Sequence, residues 1–227
     1  MSRRHVGLAT TAGLTAAYAG VQHLGRTWGA TREERRRHLP GDDLVGGPKA
    51  QTTHAVTIAA RPEAIWPWLV QMGWGRAGWY TYRWVDLLLF PANGPSATRL
   101  LPEHQRLAVG DHIPDGPPET GCSFTIRTLE PPSVLVLHSD SHLFGRLAEL
   151  KGASMDWAWT WLLTADAHGD TRVVQRNNLR LTPRWLHLAY VATMVPCDFV
   201  MARSHLLGLK RRVERTTSDG GVRQPAA

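Results

Sequence analysis

The sequence predicts an α+β domain in which a curved antiparallel sheet wraps around a long C-terminal helix and encloses an apolar cavity. Three observations lead there. Short period-two segments separated by turns fill the middle of the chain. An apolar stripe with steps of three and four runs through its last part. One of the period-two segments, Met155–Leu163, sets three tryptophans on a single face.

Length and composition bound the answer. A chain of 227 residues with 43% hydrophobic residues suits one domain with a sizeable core and tails, and 20% charged residues exclude global disorder. The net charge of +7 is concentrated at the ends. Residues 1–51 carry eight Lys/Arg against four Asp/Glu, residues 203–227 six against two, and residues 52–202 twelve against thirteen. A nucleic-acid reader interleaves basic and aromatic residues on one folded face, whereas here the ten Trp lie mostly in the neutral middle, so no nucleic-acid partner is expected. Basic ends suit an anionic membrane surface, at about 1 kcal/mol per nearby Lys or Arg, or simply a solvated exterior. Two cysteines, Cys122 and Cys197, are no disulfide framework.

Residues 1–30 form a weakly apolar N-terminal segment. Val6–Leu24 carries no formal charge and is about long enough to span a membrane, but it is rich in Ala, Gly and Thr. Ala17-Tyr18-Ala19 has the small-residue character of a cleavage site. A membrane anchor, a cleaved signal and a peripheral helix all remain open. The corresponding locations are cytoplasmic, or membrane-associated through the N-terminus.

Residues 31–51 read as a short helix and linker. Thr31 caps the helix, with Glu34 three positions on, and Leu39-Pro40-Gly41 ends it. The folded domain is expected over 52–215, with a disordered tail at 216–227. His54–Ile58 is a strand. Pro62 opens a helix whose stripe is Ile65, Trp66 and Leu69, and Pro67 bends it. Tyr82–Phe90 reads as a short helix. Strands follow at Val109–Ile113, Cys122–Leu129, Val134–His138, Met155–Leu163 and Thr171–Leu181, the last two joined by a turn at Gly169-Asp170. Pro196 opens the final helix, with Phe199, Ala202, Leu206, Leu209 and Val213 on one stripe. About nineteen residues make roughly 28 Å of helix. That matches a sheet of six strands spaced roughly 4.8 Å apart.

In Met155–Leu163 the side chains of Met155, Trp157, Trp159, Trp161 and Leu163 share one face. Each indole buries about 150–250 Å², so three exceed the apolar patch that a soluble monomer normally exposes. The C-terminal helix is the natural cover, and the gap beneath it the cavity. The alternative is a core filled by the indoles themselves.

The order strand, helix, antiparallel strands, long C-terminal helix resembles the START/Bet v 1-like helix-grip superfamily (SRPBCC), whose members include polyketide cyclase/dehydrase-like and lipid-transfer proteins. The stretches that carry the resemblance are Pro62–Gly73, Gly78-Trp79-Tyr80, Ala108–Asp111, Leu129–Pro132, Asp198–Met201 and Leu206-Leu207-Gly208. They look like those of bacterial members and span roughly 52–214. The resemblance implies a helix-grip fold with a cavity for hydrophobic ligands, and brings no catalytic residues.

The function expected is binding or carriage of a hydrophobic, lipid- or polyketide-like small molecule. Trp66, Trp79, Tyr80, Tyr82, Trp157, Trp159, Trp161 and Phe199 are the candidate lining. A cyclase or dehydratase is the alternative, with Tyr80, Tyr82, Asp111 and His112 as acid–base candidates. A fully packed interaction domain is the third reading. Arg76 and Arg83 are candidates to meet an acidic head group. His138, Asp140 and His142 share a side of an extended segment, yet read as a polar strand end. No cofactor and no metal are expected, because no HExxH, phosphate loop or GxSxG occurs.

Overall fold

A computed structural model of the chain describes residues 3–47, 49–89, 91–143 and 145–221. The strands are β1 (Ala50–Ile58), β2 (His112–Pro114), β3 (Ser123–Glu130), β4 (Val134–Ser139), β5 (Ser154–Ala165) and β6 (Thr171–Thr182). They form one antiparallel sheet in the order β1-β6-β5-β4-β3-β2. The helices are α1 (Arg3–Thr27), α2 (Arg32–Arg36), α3 (Pro62–Val70), α4 (Arg83–Leu89) and α5 (Arg184–Gly221). Sheet order and the helix lying on the sheet make this a helix-grip α+β fold.

The strands follow their alternation. On β5, Met155, Trp159, Trp161 and Leu163 are buried and Trp157 half-buried. Opposite them Val173, Gln175, Asn177 and Leu179 of β6 point the same way. The β5–β6 hairpin closes where Asp166 N–H donates to Asp170 O at 2.8 Å, with Gly169 at φ +87°. The core between this inner face and α5 combines Trp159, Trp161, Phe124, Leu135 and Leu137 with Leu206, Leu209 and Val213. In α3 the buried stripe is Ile65, Trp68 and Leu69, while Trp66 is only half-buried at the core margin. Ile65 lies three and four positions before Trp68 and Leu69, which puts those three on one face.

The largest departure from expectation is the length of α5, 38 residues with Pro196 inside it rather than at its start. Proline lacks an N–H, so the Ala192 carbonyl one turn back loses its helical donor. Here Tyr18 Oη donates to that carbonyl at 2.7 Å, and Gln22 Nε2 reaches it at 3.4 Å and the Val191 carbonyl at 2.9 Å. Helix α1 therefore supplies what Pro196 removes, and α5 runs on. The two helices approach closely at Gly25, where an added Cβ would meet Val195 O at 2.1 Å.

The segment after α1 is packed on the outer face of the sheet. Thr31 and Glu34 form the expected capping box at α2. Leu39 packs with Ala55 and Val174. Arg176 of β6, fully buried, donates to Asp42 Oδ2 at 2.7 Å, Arg37 O at 2.9 Å, Glu34 O at 2.5 Å and Thr53 Oγ1 at 3.1 Å. Asn178 Nδ2 donates to Asp42 Oδ1 at 2.8 Å. This strap was expected to be a linker; buried polar partners across the sheet hold it down. Helix α5 continues to Gly221, beyond the expected start of the tail at 216. Met1, Ser2, Phe90 and residues 222–227 lie outside the described residues. Cys122 and Cys197 are both free thiols.

Candidate functional site

Register places the inner-face residues in rows across three strands. One row is Trp161, Gln175 and His54; the next is Trp159, Asn177 and Thr52; the third is Trp157, Leu179 and Ala50. The indoles of 159 and 161 face α5 and surround His205, whose ring centroid lies 4.9 Å from that of Trp161 and 5.8 Å from that of Trp159. Trp79 stands 5.5 Å from Trp159, and Phe124 4.9 Å from Trp157. His205 Nε2 meets Met72 Sδ at 3.1 Å. Burial, and then the Arg212 charge, push the His205 imidazole down to about 3. The centre of the grip is thus filled by aromatic rings.

The open space lies toward the first half of α5. A pocket of about 60 Å³ is lined by Thr52, Trp157, Asn177, Tyr190, Val195 and Asp198, together with Ala50 and Leu179. A water needs about 10–15 Å³ and a drug-sized ligand about 300–1,000 Å³, so the closed pocket holds a few waters or a fragment. Its polar groups are chained. Trp157 Nε1 donates to Asn177 Oδ1 at 2.9 Å, Asn177 Nδ2 to Thr52 Oγ1 at 3.4 Å, and Thr52 Oγ1 to Asp198 Oδ2 at 3.3 Å. Burial pushes the Asp198 carboxyl up, against the pull of His54 and the Thr52 hydrogen bond. Burial, and then the Asp198 charge, push the Tyr190 phenol up.

In the interior, several buried polar atoms have no hydrogen-bond partner among the described residues. They are His54 Nδ1, Gln175 Oε1 and the Nε1 atoms of Trp79, Trp159 and Trp161. His54 Nε2 sits 2.8 Å from Gly25 O, and burial pushes this imidazole down. The neutral ring donates from Nε2, which leaves Nδ1 as an acceptor.

The remaining predicted residues fall elsewhere. Tyr80 is buried, with Oη donating to Trp68 O at 2.7 Å. Burial pushes its phenol far up, so it is a packing residue with a satisfied hydroxyl. Tyr82 does not line the interior. Its Oη accepts from Arg203 Nη1 at 2.9 Å and its ring lies under Arg211. Phe199 is half-buried and outside the main core cluster. Asp111 and His112 are exposed, Asp111 accepting from Ala108 N–H at 2.8 Å as a turn cap. The four acid–base candidates therefore do not converge, because Tyr80 turns into the core and Tyr82 out to a groove. Arg76 spends its guanidinium on the carbonyls of Met72, Val70 and His104. His138 pairs with Asp156 at 2.7 Å and His142 with Asp115 at 2.9 Å, and no group of three metal-ligating residues exists among the described residues.

The sequence reading missed His54, Gln175, Asn177, Tyr190 and Asp198. A signal existed for two of them. His54 alternates with Val56 and Ile58, and Asp198 shares the α5 stripe with Ala202, Leu206 and Leu209. Each is a polar residue on an apolar face.

No protein-family model and no curated protein matches this chain. Among solved structures, it is similar to the Zhui aromatase/cyclase from a Streptomyces species, with 13% identity, TM-score 0.40, and 77% of this chain and 99% of that one covered. It is similar to the norcoclaurine synthase from Thalictrum flavum, with 13% identity, TM-score 0.38 and coverage of 81% and 95%. A Polyketide_cyc-like protein from Corynebacterium glutamicum matches with 11% identity, TM-score 0.38 and coverage of 80% and 100%. The helix-grip assignment rests on this chain's own strand order and helix.

Proposed function

We propose that this domain binds and carries a small amphipathic molecule between the inner face of the sheet and the first half of α5. One observation carries the reading: donors on Trp159 and Trp161 and acceptors on Gln175 and His54 are buried side by side without partners. Each such atom costs about 1–3 kcal/mol in a sealed core, and native proteins keep few of them. A ligand with both acceptor and donor atoms on an apolar body would satisfy the row. The polar chain from Trp157 to Asp198 would hold its other end.

The closed pocket is smaller than such a ligand. Uptake would therefore part the α1–α5 pair from the sheet. That pair is the suited moving part, because Leu14, Tyr18, Val21 and Leu24 of α1 and Trp185, Leu188 and Met194 of α5 are exposed. The same apolar outer side would give a lipid- or polyketide-like cargo a path into the interior.

Native mass spectrometry of freshly purified protein should show a bound small molecule, and a panel of amphipathic compounds should quench Trp fluorescence. Asn177→Leu and Gln175→Leu should weaken binding by about tenfold each, the worth of one buried hydrogen bond. An empty protein that answers none of the panel would defeat the reading.

A further inference from the structure

Helix α4 is turned inside out. Val85 and Asp86 point inward, where the Asp86 carboxylate accepts from Thr81 Oγ1 and from Ser96 N–H and Oγ at 3.3 and 3.1 Å. Trp84, Leu87 and Leu88 point outward, 56%, 55% and 69% exposed. Their spacing of three and four makes one continuous apolar stripe, which a water-facing helix would normally bury.

Arg83, at the start of this helix, opens into a groove of about 260 Å³ that it shares with Tyr82, Thr98, Arg211, Arg212 and Arg215. Among the described residues, no Asp or Glu lines it. Arg212 is committed, donating to the carbonyls of Ala97 and Gly208 at 2.7 and 3.1 Å. Arg83, Arg211 and Arg215 form no ion pair among the described residues. Arg211 lies over the Tyr82 ring at 5.4 Å, which holds its guanidinium at the groove. Arg211 and Arg215 stand one helical turn apart on α5, where like charges repel. An uncompensated basic groove beside an exposed Trp and two Leu has the two chemistries of a bilayer interface. Anionic phosphates would meet the guanidinium groups, and headgroup-level apolar space would take the aromatic and aliphatic side chains.

We propose that α4 and the arginine groove form a docking surface for an anionic phospholipid membrane, with a headgroup phosphate seated among Arg83, Arg211 and Arg215. Docking here needs no cargo in the interior pocket and no insertion of α1.

The test is co-sedimentation of the full-length protein with vesicles of phosphatidylcholine alone and of phosphatidylcholine with phosphatidylglycerol. Binding should require the anionic lipid and fall with rising salt. Arg83→Glu with Arg211→Glu and Arg215→Glu should weaken it by about a hundredfold or more. Trp84→Ser with Leu87→Ser and Leu88→Ser should weaken it by about tenfold or more. All six side chains are exposed, and circular dichroism should report an unchanged fold. Equal binding to neutral vesicles overturns the proposal. So does full binding by either triple variant, or loss of binding on Leu14→Ser with Val21→Ser alone, which would put the membrane contact on α1. Calorimetric binding of inorganic phosphate with no vesicle binding would reduce the groove to a soluble-anion site and also overturn it.

Discussion

Gly208 of α5 lies so close to Tyr80 that a Cβ added to it would stand 1.7 Å from the Tyr80 carbonyl oxygen. Tyr80 itself is held at φ +58°, in the left-handed region, by its own N–H on Ser96 Oγ at 2.9 Å and its hydroxyl on Trp68 O. The helix thus rests on bare backbone rather than on a side chain. Gly208→Ala should cost about 3 kcal/mol and lower Tm by roughly 10 °C. Gly20→Ala in α1, where nothing lies within 4 Å, should be neutral or stabilising by about 0.5–1 kcal/mol. Differential scanning fluorimetry of the two variants tests the contrast.

His205 makes stability depend on pH. Its folded pKa of about 3 lies below the ordinary 6.5. As pH falls below 6.5 the unfolded chain takes up this proton and the folded chain does not, so stability is present above 6.5 and is lost on acidification. Asp115 and Asp198, pushed up by burial, act in the opposite sense, losing stability as pH rises above 3.8. The difference between the wild type and His205→Leu isolates the imidazole. Between about pH 7 and about pH 5 the wild type should lose about 2 kcal/mol more than the variant in urea titrations. Parallel curves would show that His205 is charged in the fold.

The outer-face pair Arg176–Asp42 should behave as a buried ion pair. Asp42→Ala leaves the guanidinium without its carboxylate and should cost about 3–5 kcal/mol. Asp42→Ala combined with Arg176→Met should recover most of that loss, since the uncompensated charge is then gone. A double mutant as unstable as the sum of the singles would mean that the strap is held by other forces.

Tyr18→Phe with Gln22→Ala removes the donors that serve the carbonyls beside Pro196, at about 1 kcal/mol each. Amide exchange in α1 and in residues 184–198 should speed up while β5 and β6 stay protected. If the proposed carriage is right, the same variant should take up ligand faster.

Much of this architecture was legible because the sheet and the capping residues obey local rules. The period of two in β5, the capping box at Thr31 and Glu34, and Pro62 at a helix start each depend on near neighbours. What escaped depends on distant ones. Pro196 read as a helix start because the donors that replace its missing N–H come from Tyr18 and Gln22. The part of residues 31–51 that follows the short helix read as a linker because Asp42 looks like a solvated turn until Arg176 is placed behind it. The candidate site was half visible. Trp157, Trp159 and Trp161 follow from alternation, whereas Asn177 and Gln175 sit in a β6 whose two faces both carry polar residues, so no contrast marks them.

The strap over the sheet also decides where this fold can be cut. A fragment starting at Thr52 would keep every strand residue from Thr52 onward yet strip Arg176 of the Glu34, Arg37 and Asp42 oxygens that enclose its guanidinium. Residues 31–47 are thus inherited with the sheet face they cover and cannot be exchanged as an independent module. Any graft of this domain has to carry its own backing.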